Sequence, residues 1–481
     1  MKPSRRWLLT LLVLSCFEGS AMNVFGAADD TAVLQRAING CRPGGIMRLE
    51  PRTYLVSSLR LRSDCTYSGA PGKTVLKLVA PNQFIFDVSE RTTVRITGIR
   101  FDGSGIGGAI VARENGPATG ITVEMCDFTG VSRIAIFPAN VAVVSTWALI
   151  DSAIRNNVFS DVAAGIWLTT VQNVSIENNT FRRITQGNAV YIGPNPVPFP
   201  SGKNLRITGN RGSELARMGI EIFRPDPPNG SSLDAPLIEG NEFSDWTSAR
   251  DGFGLSITHG DGAVIRNNVV RSAGPAQQYL GIEVIVKNAV VEDNRVEGGF
   301  SYGIAVQGTA APHITGNRID SASDTGIILA CDNARHRCAS HDAVIAGNSI
   351  TNARRVGIAL DNDWAGSRIT NNTISRAGGD WPGDNTVSFA GIHQVAASGP
   401  GTIESNTIVQ TAPAPPKGFD FCGVNVTSPI AGSLIGANIV RSDSTYPLGT
   451  GILDSNGSAL GVWNISKNRF LNLARDKSPR P

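Results

Sequence analysis

A six-residue phrase recurs twelve times along the chain, and few folds can absorb such a repeat. It reads apolar, two variable, Asn, variable, apolar: IRNNVF, IENNTF, ITGNRG, IEGNEF, IRNNVV, VEDNRV, ITGNRI, IAGNSI, ITNNTI, IESNTI, IGANIV and ISKNRF. Its Asn falls at positions 157, 179, 210, 241, 268, 294, 317, 348, 372, 406, 438 and 468, with spacings of 22 to 34 residues. ITGNRG breaks the last apolar position, and a further copy, VEMCDF, puts Cys126 where Asn belongs. Self-similarity at such a period is the mark of a solenoid.

The period of the apolar residues selects the kind of solenoid. Inside each phrase they flank the Asn, as two short strands joined by a bend, and Asn tolerates the left-handed backbone a bend needs. Between phrases runs a second one, Gly, apolar, variable, apolar, variable: GIWLT, GIEIF, GLSIT, GIEVI, GIAVQ, GIILA, GIALD, GIHQV and GVNVT, with AVYIG as a variant. Alternation at period two is a half-buried strand. Three strands per turn without a helical period predict an all-β chain, a single-domain right-handed parallel β-helix over residues 29–481. Roughly fourteen coils at about 4.8 Å each give a rod of about 65 Å. The repeated Asn, stacked at one bend, are expected to hydrogen-bond from coil to coil.

Composition agrees. Gly is 53 of 481 residues and charged residues are 17%, a pattern of strands and turns. Forty-three Lys and Arg against 40 Asp and Glu leave no field strong enough for nucleic acid as partner. Residues 1–28 read as an export signal: Lys2, Arg5 and Arg6, then the apolar run Trp7 to Phe17, then small residues near Ala21 and Ala28. Ser4-Arg5-Arg6-Trp7 also has the look of a twin-arginine signal, and Cys16 sits in a poor lipobox. The expected location is periplasmic or extracellular, with no transmembrane segment beyond the signal and a monomeric state. Export permits disulfides. Cys331 and Cys338, bracketing DNARHR, are the best candidate pair, and Cys41 with Cys65 the second.

The repeats resemble the pectate-lyase-like superfamily of right-handed β-helices. The opening of the mature chain is similar too: Asp29-Asp30-Thr31 before AVLQRAING, then IMRLEP, RTYLVSSLRL and TVLKL. The resemblance implies an N-terminal helix capping the open end of the core. It also implies that functional groups project outward from the Gly-led strand of each coil into a groove. It does not fix the chemistry, because the fold hosts many activities. The clustered aspartates of polygalacturonases and the motif of alginate epimerases are both absent.

In that register the first outward positions are Trp167, Tyr191, Glu221, Ser256, Glu283, Ala305, Ile328, Ala359, His393 and Asn425. Ionisable groups concentrate on three neighbouring coils: Glu221 with Arg224, His259 with Asp261, and Glu283 with Lys287. Trp167, Tyr191 and Phe223 offer faces for sugar rings, and Gln307 and His393 extend the groove as substrate contacts. An exported carbohydrate-active protein follows, with an acidic polysaccharide as partner. In the leading reading it is a lyase acting by β-elimination. Lys287 or His259 is then the base, and Arg224 neutralises the uronate, or a calcium ion on Glu221, Asp261 and Glu283 does so. Lys287 could instead be ion-paired with Glu283. Glu221 and Glu283, about 9.6 Å apart, also fit a glycoside hydrolase. A non-catalytic polysaccharide-binding rod is the third reading.

Overall fold

In the computed structural model, the structure describes residues 29–112, 116–132, 142–193, 202–223, 233–247, 252–258, 261–273, 280–330, 341–361, 364–377, 389–395, 399–411, 421–428, 430–443, 449–457 and 459–479. The expected export signal, its Cys16, and the Cys331–Cys338 pair lie outside them.

Each complete coil holds three strands, as the two phrases require. One coil runs Leu280–Val284, Val290–Glu292 and Arg295–Gly298; the next runs Tyr302–Gln307, His313–Thr315 and Arg318–Asp320. Every strand pairs in parallel with its counterpart one coil away. The third strands form a sixteen-stranded sheet from Thr53–Val56 to Arg469–Leu471. Sixteen rungs make the stack about 70 Å long, two coils more than the roughly fourteen expected from the sequence. The first and second strands form two further stacks. The fourteen-residue strands Ala142–Arg155 and Ala164–Glu177 run through both and join them into one hydrogen-bonded sheet.

The repeated Asn does what the phrase predicts, by a division of labour the phrase hides. Left-handed backbone falls on the residue before it, such as Asn156, Asn178, Asn267, Asp293 or Gly316, all with φ between 54° and 66°. The repeated Asn itself is buried in every coil but the last, where Asn468 is half-buried. Asn294 Nδ2 donates to Ile265 O in the coil before and to Asn317 Oδ1 in the coil after; its own Oδ1 accepts from the Asn268 N–H and Nδ2. Repeated rung by rung, this satisfies amides that would otherwise be stranded in the core. Cys126 begins the ladder: its backbone N–H donates to Asn157 Oδ1 at 3.0 Å, and burial pushes its thiol up to about 12.

The leading Gly of the first strand has a steric cause. A Cβ on Gly357 would stand 2.5 Å from Ile374 Cγ2 and 2.6 Å from Gly391 O. Here the first strand passes so close to the inward side chain of the third that any side chain would collide. Inside, apolar residues stack by kind: Phe101, Phe128, Phe159 and Phe181 are parallel with centroids 4.7–4.9 Å apart.

The helix Thr31–Asn39 closes the N-terminal end by burying Leu34 and Ile38. Asp29 Oδ1 accepts the Thr31 N–H, while Asp30 is drawn away to Arg52 and the Leu55 N–H. A Cys41–Cys65 disulfide fastens the segment after the helix to a neighbouring coil. It is the second of the two pairs expected from sequence. Among the described residues no helix follows.

Candidate active site on the outward face of the first strands

The ten outward positions expected from the Gly-led phrase form one unbroken column. Trp167 pairs with Tyr191, Tyr191 with Glu221, Glu221 with Ser256, Ser256 with Glu283, and so on through Ala305, Ile328, Ala359 and His393 to Asn425. Adjacent members are one rung, about 4.8 Å, apart.

Glu221 is the chemical focus. Only 5% of it is exposed, so its carboxylate must be satisfied by protein groups. Asn188 Nδ2 donates to Oε2 at 2.6 Å, and Arg217 Nη1 reaches the same oxygen at 3.2 Å. Both donors come from the turn before a first strand, Asn188 from the coil before and Arg217 from four residues upstream. Asn188 is itself fixed, because its Oδ1 accepts the Met218 N–H. On the neighbouring rung, burial and then the Glu221 charge raise the Tyr191 phenol above its ordinary value, and Arg217 opposes them. The ring folds over Gly193, where a Cβ would lie 1.9 Å from the ring edge. Trp167 meets Tyr191 edge to face at 4.5 Å. The set comprises an aromatic wall, a phenol that keeps its proton, and a carboxylate held by an amide and a guanidinium.

Glu283 stands two rungs from Glu221 and is half-buried. It accepts from Ser256 Oγ at 2.6 Å and from Gln307 Nε2 at 3.4 Å. Both of these donors are uncharged.

Other expected site residues are placed elsewhere. The strand carrying Glu283 ends at Val284, and Val286 turns inward, so Lys287 emerges beyond the bend. There it aligns with Lys203, Asp234 and Asp261 in a separate column. Lys287 is exposed and makes no ion pair among the described residues. The expected calcium set is therefore split. Asp261 belongs to that second column, where Asn288 Nδ2 bonds it at 2.8 Å, while Glu221 and Glu283 are separated by Ser256. Among the described residues no three such side chains converge on a metal position. Phe223 follows the Ile220–Ile222 strand and is half-buried. Arg224 and His259 lie outside the described residues.

Farther along the column, His393 is 8% exposed, and burial, then Arg355, lower it to about 4. Arg355 pairs with Asp324 at 2.5 Å. Burial raises both Asp361 and Tyr302 in the same neighbourhood. Between this group and Glu283, Ala305, Ile328 and Ala359 pack with Leu280 and Val356 into an apolar cluster on the outer face. Sequence reasoning missed Asn188, Arg217, Asp324 and Arg355. All four precede their strands, where the period-two register gives no reading.

Comparison with known proteins agrees with this architecture. A family model described as "Right handed beta helix region" matches residues 228–415. The A-module of the mannuronan C-5 epimerase AlgE6 of Azotobacter vinelandii superposes with a TM-score of 0.51 at 17% identity, over 82% of this chain and 97% of that one. The pre-mature gene product 12 of bacteriophage phi29 superposes with a TM-score of 0.54 at 14% identity, over 94% and 72%. No curated protein matches by sequence. The chain is thus a right-handed parallel β-helix with the fold of the pectate-lyase-like superfamily. No helix among its described residues is long and apolar enough to cross a membrane.

Proposed function

We propose that this chain is an exported carbohydrate-active enzyme that cleaves a uronate-containing polysaccharide by β-elimination at the Tyr191–Glu221 rungs. The observation that carries the reading is their placement: a phenol and a carboxylate on adjacent rungs of one outward column, beside Trp167 and with Arg217 on the carboxylate. One solved protein of the same fold is a mannuronan C-5 epimerase; the proposal extends its substrate class, a uronate polymer, to this chain.

In the proposed step Arg217, the more exposed of the two donors, binds the sugar carboxylate and stabilises the charge that builds on it as the C5–H bond breaks, while Asn188 keeps Glu221 in place. Glu221 takes the C5 proton. The electron pair forms the C4–C5 double bond, and the C4–O bond breaks. Tyr191 gives its proton to the leaving oxygen, and proton return from Glu221 restores the site. Trp167 supplies an apolar face for the neighbouring sugar. Neither Lys287 nor a metal ion has a part in this arrangement.

Hydrolysis is the second reading, and one observation favours it. Glu221 and Glu283 share a column two rungs apart, about 9.6 Å between Cα atoms. That is compatible with the carboxyl separation of inverting glycosidases, about 6.5–9.5 Å. Incubating the protein with polygalacturonate, alginate and neutral glucans separates the two. Elimination yields an unsaturated product that absorbs in the ultraviolet; hydrolysis yields reducing ends without that absorbance. Release of reducing ends alone overturns the lyase reading. Binding without either product leaves the non-catalytic rod as the correct one.

A further inference from the structure

The third-strand sheet carries a feature unconnected to the Tyr191–Glu221 column. Where ITGNRG replaces the last apolar residue of the phrase with Gly212, a depression of about 250 Å³ lies across three successive third strands. Two outward columns border it. Thr180, Arg211 and Glu242 form one, and Arg182, Ser213 and Ser244 the other. Phe181 and Gly212 lie between them.

The charges in this depression are unbalanced, unlike those beside it. Farther along the sheet, Arg271 is held by Glu242 at 2.5 Å and by Glu297 at 2.9 Å, and Arg295 is paired with Glu297. Glu242 is thereby engaged on its far side. Arg211, with its side chain 77% exposed, is only 4.0 Å from the same carboxylate. Arg182 is exposed and has no acidic partner among the described residues. The two arginines sit on a diagonal of the sheet, about 7–8 Å apart at Cα. Each guanidinium presents a planar fork of donors suited to an oxyanion. Thr180 and Ser213 complete the square with hydroxyls that can add a hydrogen bond each.

We propose that this depression binds an oxyanion group, carboxylate or sulfate ester, of an acidic polysaccharide, with Arg182 and Arg211 as the principal contacts. It is a non-catalytic carbohydrate site on a different sheet stack from the candidate active site. It would hold the rod on a polymer while the first-strand face engages another segment. Charge complementarity selects the occupant, since Arg182 has no acidic partner among the described residues and Arg211 is held only at 4.0 Å by a Glu242 that is already engaged with Arg271, which leaves donors over short hydroxyls free for an anionic group.

The test is equilibrium binding of the full chain to polygalacturonate and to dextran sulfate, with unmodified dextran and duplex DNA alongside, at about 20 mM and about 200 mM salt. Arg182→Gln combined with Arg211→Gln is expected to weaken binding to at least one anionic polysaccharide by about fivefold or more at low salt. A control, Arg48→Gln with Arg206→Gln, removes the same charge elsewhere and is expected to change it little. Ser213→Asp, which puts a carboxylate between the two arginines, is expected to act like the first pair; thermal melting checks that each variant is folded. Polygalacturonate and dextran sulfate tell a carboxylate site from a sulfate site. Equal effects of the two arginine pairs, or none from either, overturn the proposal. So does duplex DNA binding as tightly as both polysaccharides, since the surface would then be a general polyanion contact. Loss of catalytic turnover has no bearing here, so the two sites fail or stand separately.

Discussion

Asn188 donates its side-chain amide to Glu221 Oε2 at 2.6 Å, from the coil preceding the one that carries the carboxylate. The contact joins two coils through a buried polar pair, and it orients the group assigned as base. Replacing Glu221 by Gln is expected to lower turnover at least about a hundredfold, the scale of a lost acid or base, with little change in folding. Asn188→Ala is expected to lower turnover less and to destabilise the coil by about 1–3 kcal/mol. It removes a donor to a buried carboxylate and an acceptor for the Met218 N–H. Kinetics on the cleaved polysaccharide, with melting temperatures, separate the two effects. Wild-type rates in both variants would move the centre elsewhere on the column.

The Asn ladder makes a second expectation quantitative. Asn294→Ala removes four hydrogen bonds, two donated and two accepted, and strands the Asn268 N–H and the Ile265 carbonyl. A loss of about 3 kcal/mol or more is expected. Cys126→Asn should do the reverse. Asn157 Oδ1 already accepts from this position, and the Ile96 carbonyl lies 3.8 Å from Sγ. The substitution extends the ladder by one rung and is expected to raise the melting temperature. A lower melting temperature would mean that the thiol site is too small for the amide.

The Cys41–Cys65 bridge closes a 24-residue separation at the capped end. Cys41→Ser with Cys65→Ser is expected to cost about 3 kcal/mol on the chain-entropy scale. The loss should be local, because the helix touches the first coils only. Hydrogen exchange should quicken in the Thr31–Asn39 helix and leave the Asn294 coil unchanged. Uniform quickening along the rod would contradict this.

The column of outward residues was legible because period two fixes the face of every residue inside a strand. Trp167, Tyr191, Glu221 and Glu283 follow from that alone. Lys287 did not fit because alternation says nothing about where a strand ends. Four residues past Glu283 the chain has rounded a bend, and Val286 has taken the inward position. Asn188 and Arg217 were invisible for the complementary reason: they precede the Gly, where no period runs. The left-handed residue also escaped notice. The repeated Asn is visible in every phrase, yet the bend's strain falls on its variable predecessor, which is Asn, Asp, Gly, Ser, Ala or Lys in different coils.

His393 carries the last prediction. Burial and the Arg355 charge disfavour its protonated form and lower it from 6.5 to about 4. The unfolded chain therefore binds a proton between those values that the folded chain refuses. Its contribution to stability is full above about pH 6.5 and is lost as pH falls toward about 4. The whole shift corresponds to at most about 3 kcal/mol. Asp361 works against it: burial raises this carboxyl, so just above its unfolded value the folded state holds the extra proton and stability falls as pH rises. The wild-type profile mixes both, so the difference between wild type and His393→Gln is the informative quantity. Denaturant midpoints measured from about pH 4 to pH 7 should show the variant losing less stability on acidification. If the two profiles are parallel, His393 titrates as an ordinary exposed imidazole.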